Sequence, residues 1–98
     1  MEAVSILRER ISLDDNSFVE LVIWKLPDPL AGSSHSFKYR LALVSQNICV
    51  LRYDNEAGKG DHKHLGDAEA DYVFSNLNQL QADFWADVEQ WRLTWTTS

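Results

Sequence analysis

One cysteine, Cys49, is all the thiol this chain of 98 residues carries. An internal disulfide is excluded, and so are zinc sites built from several thiolates. Cys49 lies in Asn47-Ile-Cys-Val-Leu51, where a thiol is expected to act as a small buried hydrophobe. No apolar run approaches the roughly 18 residues that span a bilayer. The first ten residues lack the basic-then-apolar order of a secretory signal. Repeats, low-complexity stretches and long linkers are absent, and the length suits a single hydrophobic core. With 45% hydrophobic and 24% charged residues, the composition is that of a globular domain and not of a disordered tail. The expectation is a single-domain cytoplasmic protein with no membrane partner.

Positive charge is also scarce, but unevenly so. The chain holds 9 basic and 15 acidic residues, net −6. Between His35 and His64 the balance reverses. Lys38, Arg40, Arg52, Lys59 and Lys63 stand there against Asp54, Glu56 and Asp61, which makes that stretch +2 and leaves the remainder at −8. All three histidines, His35, His62 and His64, fall within it. An acidic protein repels nucleic acid at long range, yet a local basic and histidine-rich face can still hold a phosphate.

The first two thirds of the chain read as strands. Residues 3–13 are rich in Val, Ile and Leu and end at Asp14-Asp15-Asn16-Ser17, a hairpin signal. Residues 18–26 alternate with a period of two, and Pro27-Asp-Pro29 stops them because proline cannot donate to a ladder. Residues 35–45 form a third strand, with Phe37, Tyr39, Leu41 and Leu43 on one face and Lys38, Arg40, Ala42 and Val44 on the other. Gln46-Asn47 suits a tight turn before a fourth strand at 48–53. Ser75 is the expected N-cap of a helix over 76–93, whose stripe is Leu77, Leu80, Phe84, Val88, Trp91 and Trp95. Trp85 and Trp91 are expected to pack in the core, and Asp83, Asp87 and Glu89 to form an acidic outer face. The fold class is α+β, a four-stranded antiparallel meander in residues 3–53 with the helix on one face. Residues 54–71 are expected to form a Gly/His-rich loop.

That loop concentrates the chemistry. His62 and His64 are two apart, so an extended backbone turns both imidazoles to one side. Histidine exchanges protons near neutrality. Two histidines, or one with Asp61 or Glu56, can act as acid and base in phosphodiester transesterification. Lys38, Arg40, Arg52 or Lys59 would offset the extra negative charge. RNA supplies its own 2′-hydroxyl, so neither metal nor cofactor is required. Tyr39 or Tyr53 could stack a base. Lys59 between Gly58 and Gly60 matches a phosphate loop in composition, but the P-loop spacing is absent. A solvated connection, or a metal site using His-x-His with Asp54, Glu56 or Asp61, are the competing readings. His35, alone at a strand start, reads as a surface residue.

The string Tyr53-Asp-Asn-Glu-Ala-Gly-Lys-Gly-Asp-His-Lys-His64 resembles the hallmark of the TumE family of toxin–antitoxin toxins. Val22-Ile-Trp-Lys-Leu-Pro-Asp-Pro29, Gly32-Ser-Ser-His-Ser-Phe-Lys-Tyr-Arg40, Tyr72-Val-Phe74 and Asp83-Phe-Trp-Ala-Asp-Val88 extend the resemblance over nearly the whole chain. It implies a toxin encoded beside an antitoxin, the antitoxin being a small DNA-binding protein, often helix-turn-helix. The expected activity is a metal-independent endoribonuclease acting on mRNA, free or on the ribosome. Its expected catalytic residues are His62, His64 and Asp61, and Lys38, Arg40, Arg52, Lys59, Tyr39 and Tyr53 would bind RNA. The alternative is a non-catalytic module that occludes a protein target, suggested by the acidic helix. Trp91 and Trp95 are candidates for a homodimer contact.

Overall fold

The computed structural model describes residues 2–97, with side chains placed as far as Thr94. Six strands precede one helix: β1 (Val4–Asp14), β2 (Ser17–Lys25), β3 (Phe37–Ser45), β4 (Ile48–Glu56), β5 (Gly60–Leu65), β6 (Ala68–Asp71) and α1 (Leu77–Thr97). The strands pair antiparallel, each with the next, in the order β1-β2-β3-β4-β5-β6. The expected class therefore holds with two strands more than the four expected. Residues 54–71 continue the sheet instead of forming a loop. Gly58 and Gly60 have φ of +82° and +78°, a conformation that lets Ala57–Lys59 reverse the chain without a Cβ penalty. Gly66-Asp67 reverses it again before β6. Hydrophobic periodicity does not flag β5, because its residues Asp61 to His64 are all ionisable.

The register explains the core. Val19, Leu21 and Ile23 of β2 stand opposite Leu43, Leu41 and Tyr39 of β3. Leu41 and Leu43 in turn face Tyr53 and Leu51 of β4. This face meets Leu80, Phe84 and Val88, and all eleven side chains are buried together. Burying each large apolar side chain is worth about 1.5–3 kcal/mol, enough to hold a single helix on a single sheet. Trp85 and Trp91 pack partly buried against the cluster, as expected, and the side chain of Trp95 lies outside the described residues.

Four local expectations are corrected. The N-cap is Asn76, not Ser75: its Oδ1 accepts from the Gln79 N–H at 2.8 Å, and its carbonyl accepts from Leu80 at 3.0 Å. Asp83 and Asp87 do not form an outer acidic face. Asp83 accepts from the Tyr72 hydroxyl at 2.5 Å, and Asp87 accepts from Tyr53 and from Lys63 Nζ. Cys49 is exposed, because a register shift between Leu43 and Val44 carries it out opposite Val44. The fourth concerns His35, described below.

Candidate functional site

The two faces of the sheet carry different chemistry. On the face away from α1, the register lines side chains up in rows across the strands. One row runs Arg10–Glu20–Ala42–Arg52–His64–Glu69, and the next runs Arg8–Val22–Arg40–Asp54–His62–Asp71. Directly opposed side chains on antiparallel strands stand about 4.5–5.5 Å apart at Cβ, so each row is a line of contacts. Lys38 and Trp24 share this face as cross-strand partners. Five of the expected site residues, His62, His64, Lys38, Arg40 and Arg52, thus lie on one surface.

These groups pair in alternating sign. Glu20 is 2.6 Å from Arg10 and 3.5 Å from Arg40. The Arg10 guanidinium hydrogen bond, aided by the charge of Arg40, holds the Glu20 carboxyl below its ordinary value. His62 Nε2 is 3.3 Å from Asp71 and 4.0 Å from Glu69. His64 lies 3.8 Å from Asp54 and 3.9 Å from Glu69. Both rings are partly exposed, at 14% and 26% of the side chain. Arg52 Nε sits 2.9 Å from Asp54 Oδ2, yet its N–H is not aimed at that oxygen and finds no hydrogen-bond acceptor. Arg52 is thus ion-paired with Asp54 through charge and not through a well-aimed hydrogen bond, which leaves its Nε–H free to turn to another anion beside His64. The Lys38 ammonium donates to the carbonyl of Asn55.

Four expected site residues lie elsewhere. Asp61 turns to the helix face, because it alternates with His62. There its Oδ2 accepts from the Tyr39 hydroxyl at 2.6 Å and from His35 Nε2 at 2.8 Å. The Phe37 N–H donates to His35 Nδ1 at 3.1 Å, which leaves Nε2 as the protonated nitrogen of the neutral ring. Phe74 stacks on that ring at 3.9 Å between centroids. His35 is therefore a buried clamp and not a surface residue, with 8% of its side chain exposed. Tyr39 and Tyr53 are both 1% exposed and have no free ring face for a base. Burial, then the neighbouring carboxylates of Asp61 and Asp87, push their hydroxyls well above the ordinary tyrosine value. Lys59 is exposed at the β4–β5 turn, 3.9 Å from Glu56. The turn is not a phosphate cradle. The Gly58 N–H donates to Ala31 at 2.7 Å and the Lys59 N–H to Glu56 at 3.1 Å, so these amides are spent.

The residues that sequence reasoning missed here are Glu69, Asp71 and Trp24. Glu69 and Asp71 join the site only through the pairing of β6 with β5. Trp24 already stood in the alternation of β2, but only the pairing with β3 puts it beside Lys38. Among the described residues no three His, Cys, Asp or Glu side chains are grouped to hold a metal ion, so the alternative metal reading loses its ligand set. No helix among them is long and apolar enough to cross a membrane.

A family model described as Toxin TumE matches residues 2–92 of this chain. No curated protein and no solved structure matches it.

Proposed function

The chain belongs to the TumE toxin family, and from that premise we propose that it is a toxin that cleaves mRNA without a metal ion. Membership implies a cognate antitoxin, which in this reading is a small helix-turn-helix DNA-binding protein. The observation that carries the ribonuclease reading is the grouping of His62, His64 and the Arg52 guanidinium, whose Nε–H has no aligned acceptor, on one open sheet face.

One imidazole takes the proton from a ribose 2′-hydroxyl, and its oxygen attacks the adjacent phosphorus. The other imidazole gives a proton to the departing 5′-oxygen. The O2′–P bond forms and the P–O5′ bond breaks, leaving a 2′,3′-cyclic phosphate and a 5′-hydroxyl. Residues two apart on a strand are separated by about 6.6 Å, a span that straddles one phosphodiester. Arg52 is placed to meet the charge that develops on the phosphoryl oxygens, and Arg40 and Lys38 to hold flanking phosphates. Glu69 and Asp71 then yield their places beside the histidines to the incoming phosphate. A protein of net charge −6 gains no long-range attraction to RNA, so the reading includes mRNA presented on the ribosome.

The second reading is occlusion of a protein target. It is favoured by the carboxylates that already stand beside His62, His64, Arg40 and Arg52. Mapping RNA 5′ ends after brief expression of wild type and of His62→Ala/His64→Ala separates the two. New ends in the wild type alone are expected. Growth arrest with no new ends would leave occlusion.

A further inference from the structure

We infer that the cleft beside Trp24 is a nucleobase subsite, which holds one base of a single-stranded RNA upstream or downstream of the cleaved bond. This rests on the ribonuclease reading and names where that substrate is recognised. The cleft has a volume of about 200 Å³ and is lined by Val22, Trp24, Lys38, Arg40, Asp54 and Glu56, with Tyr39 between the two cations. Cross-strand register builds it: Trp24 stands opposite Lys38, Val22 opposite Arg40, and Arg40 opposite Asp54. Asp54 in turn stands opposite His62, which ties the cleft to the histidine pair through one continuous row.

Elimination of the other rings points the same way. Among the described side chains, Tyr39, Tyr53 and Phe84 are consumed in the core, and Phe37, Tyr72, Phe74, Trp85 and Trp91 pack against it. Phe18 lies on the open face, but the Arg10 guanidinium covers its ring at 4.3 Å. Trp24 is partly exposed and borders open space. A ring of this kind flanked by two cations is the combination that binds single-stranded nucleic acid, with stacking on the base and charge on the backbone.

The carboxylates at the rim give the subsite a preference. Asp54 is held by Arg52 and faces His64. Glu56 is 56% exposed at its side chain and only loosely met by Lys59 at 3.9 Å. A carboxylate accepts and never donates when ionised. It therefore favours a base edge with adjacent N–H donors, as guanine presents, over uracil, whose single N–H lies between two carbonyls. From β2 to β5 is three strand spacings, about 14 Å. That exceeds one nucleotide of extended backbone, so the base held at Trp24 is not adjacent to the cleaved bond.

The test uses the full chain and fluorescently labelled 2′-O-methyl RNA octamers, which cannot be cut, with guanine, uracil or an abasic position in an otherwise adenine strand. Binding is read by anisotropy, and melting temperature is followed for each variant. Trp24→Ala is expected to weaken binding about ten-fold or more, while Trp24→Phe stays within about three-fold of wild type. Wild type is expected to prefer guanine to uracil, and Glu56→Gln to lose that preference without a change in melting. Should Trp24→Ala unfold the chain, Trp24→Phe and Glu56→Gln still carry the test. Equal binding by wild type and a folded Trp24→Ala overturns the subsite, and so does unchanged guanine preference in Glu56→Gln. Wild type that binds no octamer overturns it as well. Cleavage of unmodified RNA by the wild type then tells whether the ribonuclease reading survives alone or falls with it.

Discussion

The two faces of the sheet use the same residue types to opposite ends. Beneath α1, Asp61, Tyr39 and His35 form a closed set of hydrogen bonds at 2.6–2.8 Å, and the buried Tyr53 hydroxyl donates to Asp87. On the open face, His62, His64, Asp54, Glu69 and Asp71 meet at 3.3–4.0 Å and remain partly exposed. Burial makes a hydrogen bond obligatory, because a polar group deprived of water has no other partner. Those on the helix face are consequently parts of the fold. Pairs that water can reach contribute little to stability and can exchange one partner for a ligand. On the open face it is the contacts of His62 and His64 that are loose, and chemistry belongs there.

Substitutions that separate activity from stability test this contrast most sharply. His62→Ala/His64→Ala is expected to reduce RNA cleavage by about 10²–10⁴-fold and to move stability by less than about 0.5 kcal/mol, measured by denaturant unfolding. A folded, fully toxic double variant would sink the ribonuclease reading. Phe84→Ala should do the reverse. It removes the largest helix side chain from the core and should cost about 3–5 kcal/mol in the same unfolding assay, with toxicity falling only as the folded fraction falls.

Asp61→Ala is the next in size and probes the boundary between the faces. It strands the Tyr39 hydroxyl and the His35 Nε2–H without an acceptor, at a cost of about 1–3 kcal/mol. Loss of cleavage at unchanged stability would return Asp61 to the catalytic set and give the helix face a part in the chemistry. Alkaline titration gives a smaller effect. The hydroxyls of Tyr39, Tyr53 and Tyr72 are raised above 10.0, chiefly by burial. Folded pKa values above the unfolded one mean stability that is complete below pH 10 and declines as pH rises beyond it. Thermal melts across that window should show the decline, and Tyr72→Phe should reduce it. Glu20 gives the smallest effect. Its carboxyl is held below 4.5 by Arg10, so its contribution is present above that pH and disappears as pH falls through the folded value. The difference in melting temperature between wild type and Glu20→Gln should therefore vanish in acid.

Much of the fold is legible in residue order. The alternation of Val19 to Ile23 and of Phe37 to Leu43 marks strands with one apolar face, and the stripe from Leu77 to Trp91 marks the helix that covers it. The Gln46-Asn47 turn is legible too, and both residues take the positive φ a two-residue hairpin needs. β5 and β6 are not. They carry Asp, His, Lys and Glu in place of Val and Ile, and the glycines that flank them, Gly58, Gly60 and Gly66, look like those of a loop. Asn55 escaped for a related reason. Buried at 1%, it accepts from the Tyr39 N–H at 3.0 Å and donates to the Phe37 carbonyl at 2.6 Å, completing the ladder with a side chain where periodicity looks only for apolar ones.

Local order alone determined that His62 and His64 address one side, since extended backbone repeats every two residues whatever surrounds it. It determined equally that Asp61 addresses the other, although a list of ionisable residues hides this. Only the tertiary structure decided which side is which. The one-residue shift between Leu43 and Val44 and the pairings Arg52–His64 and Asp54–His62 join the histidines to the cations of β3 and β4. Strand register is set by contacts between segments distant in sequence, and a slip of one residue would have moved every one of these side chains under the helix.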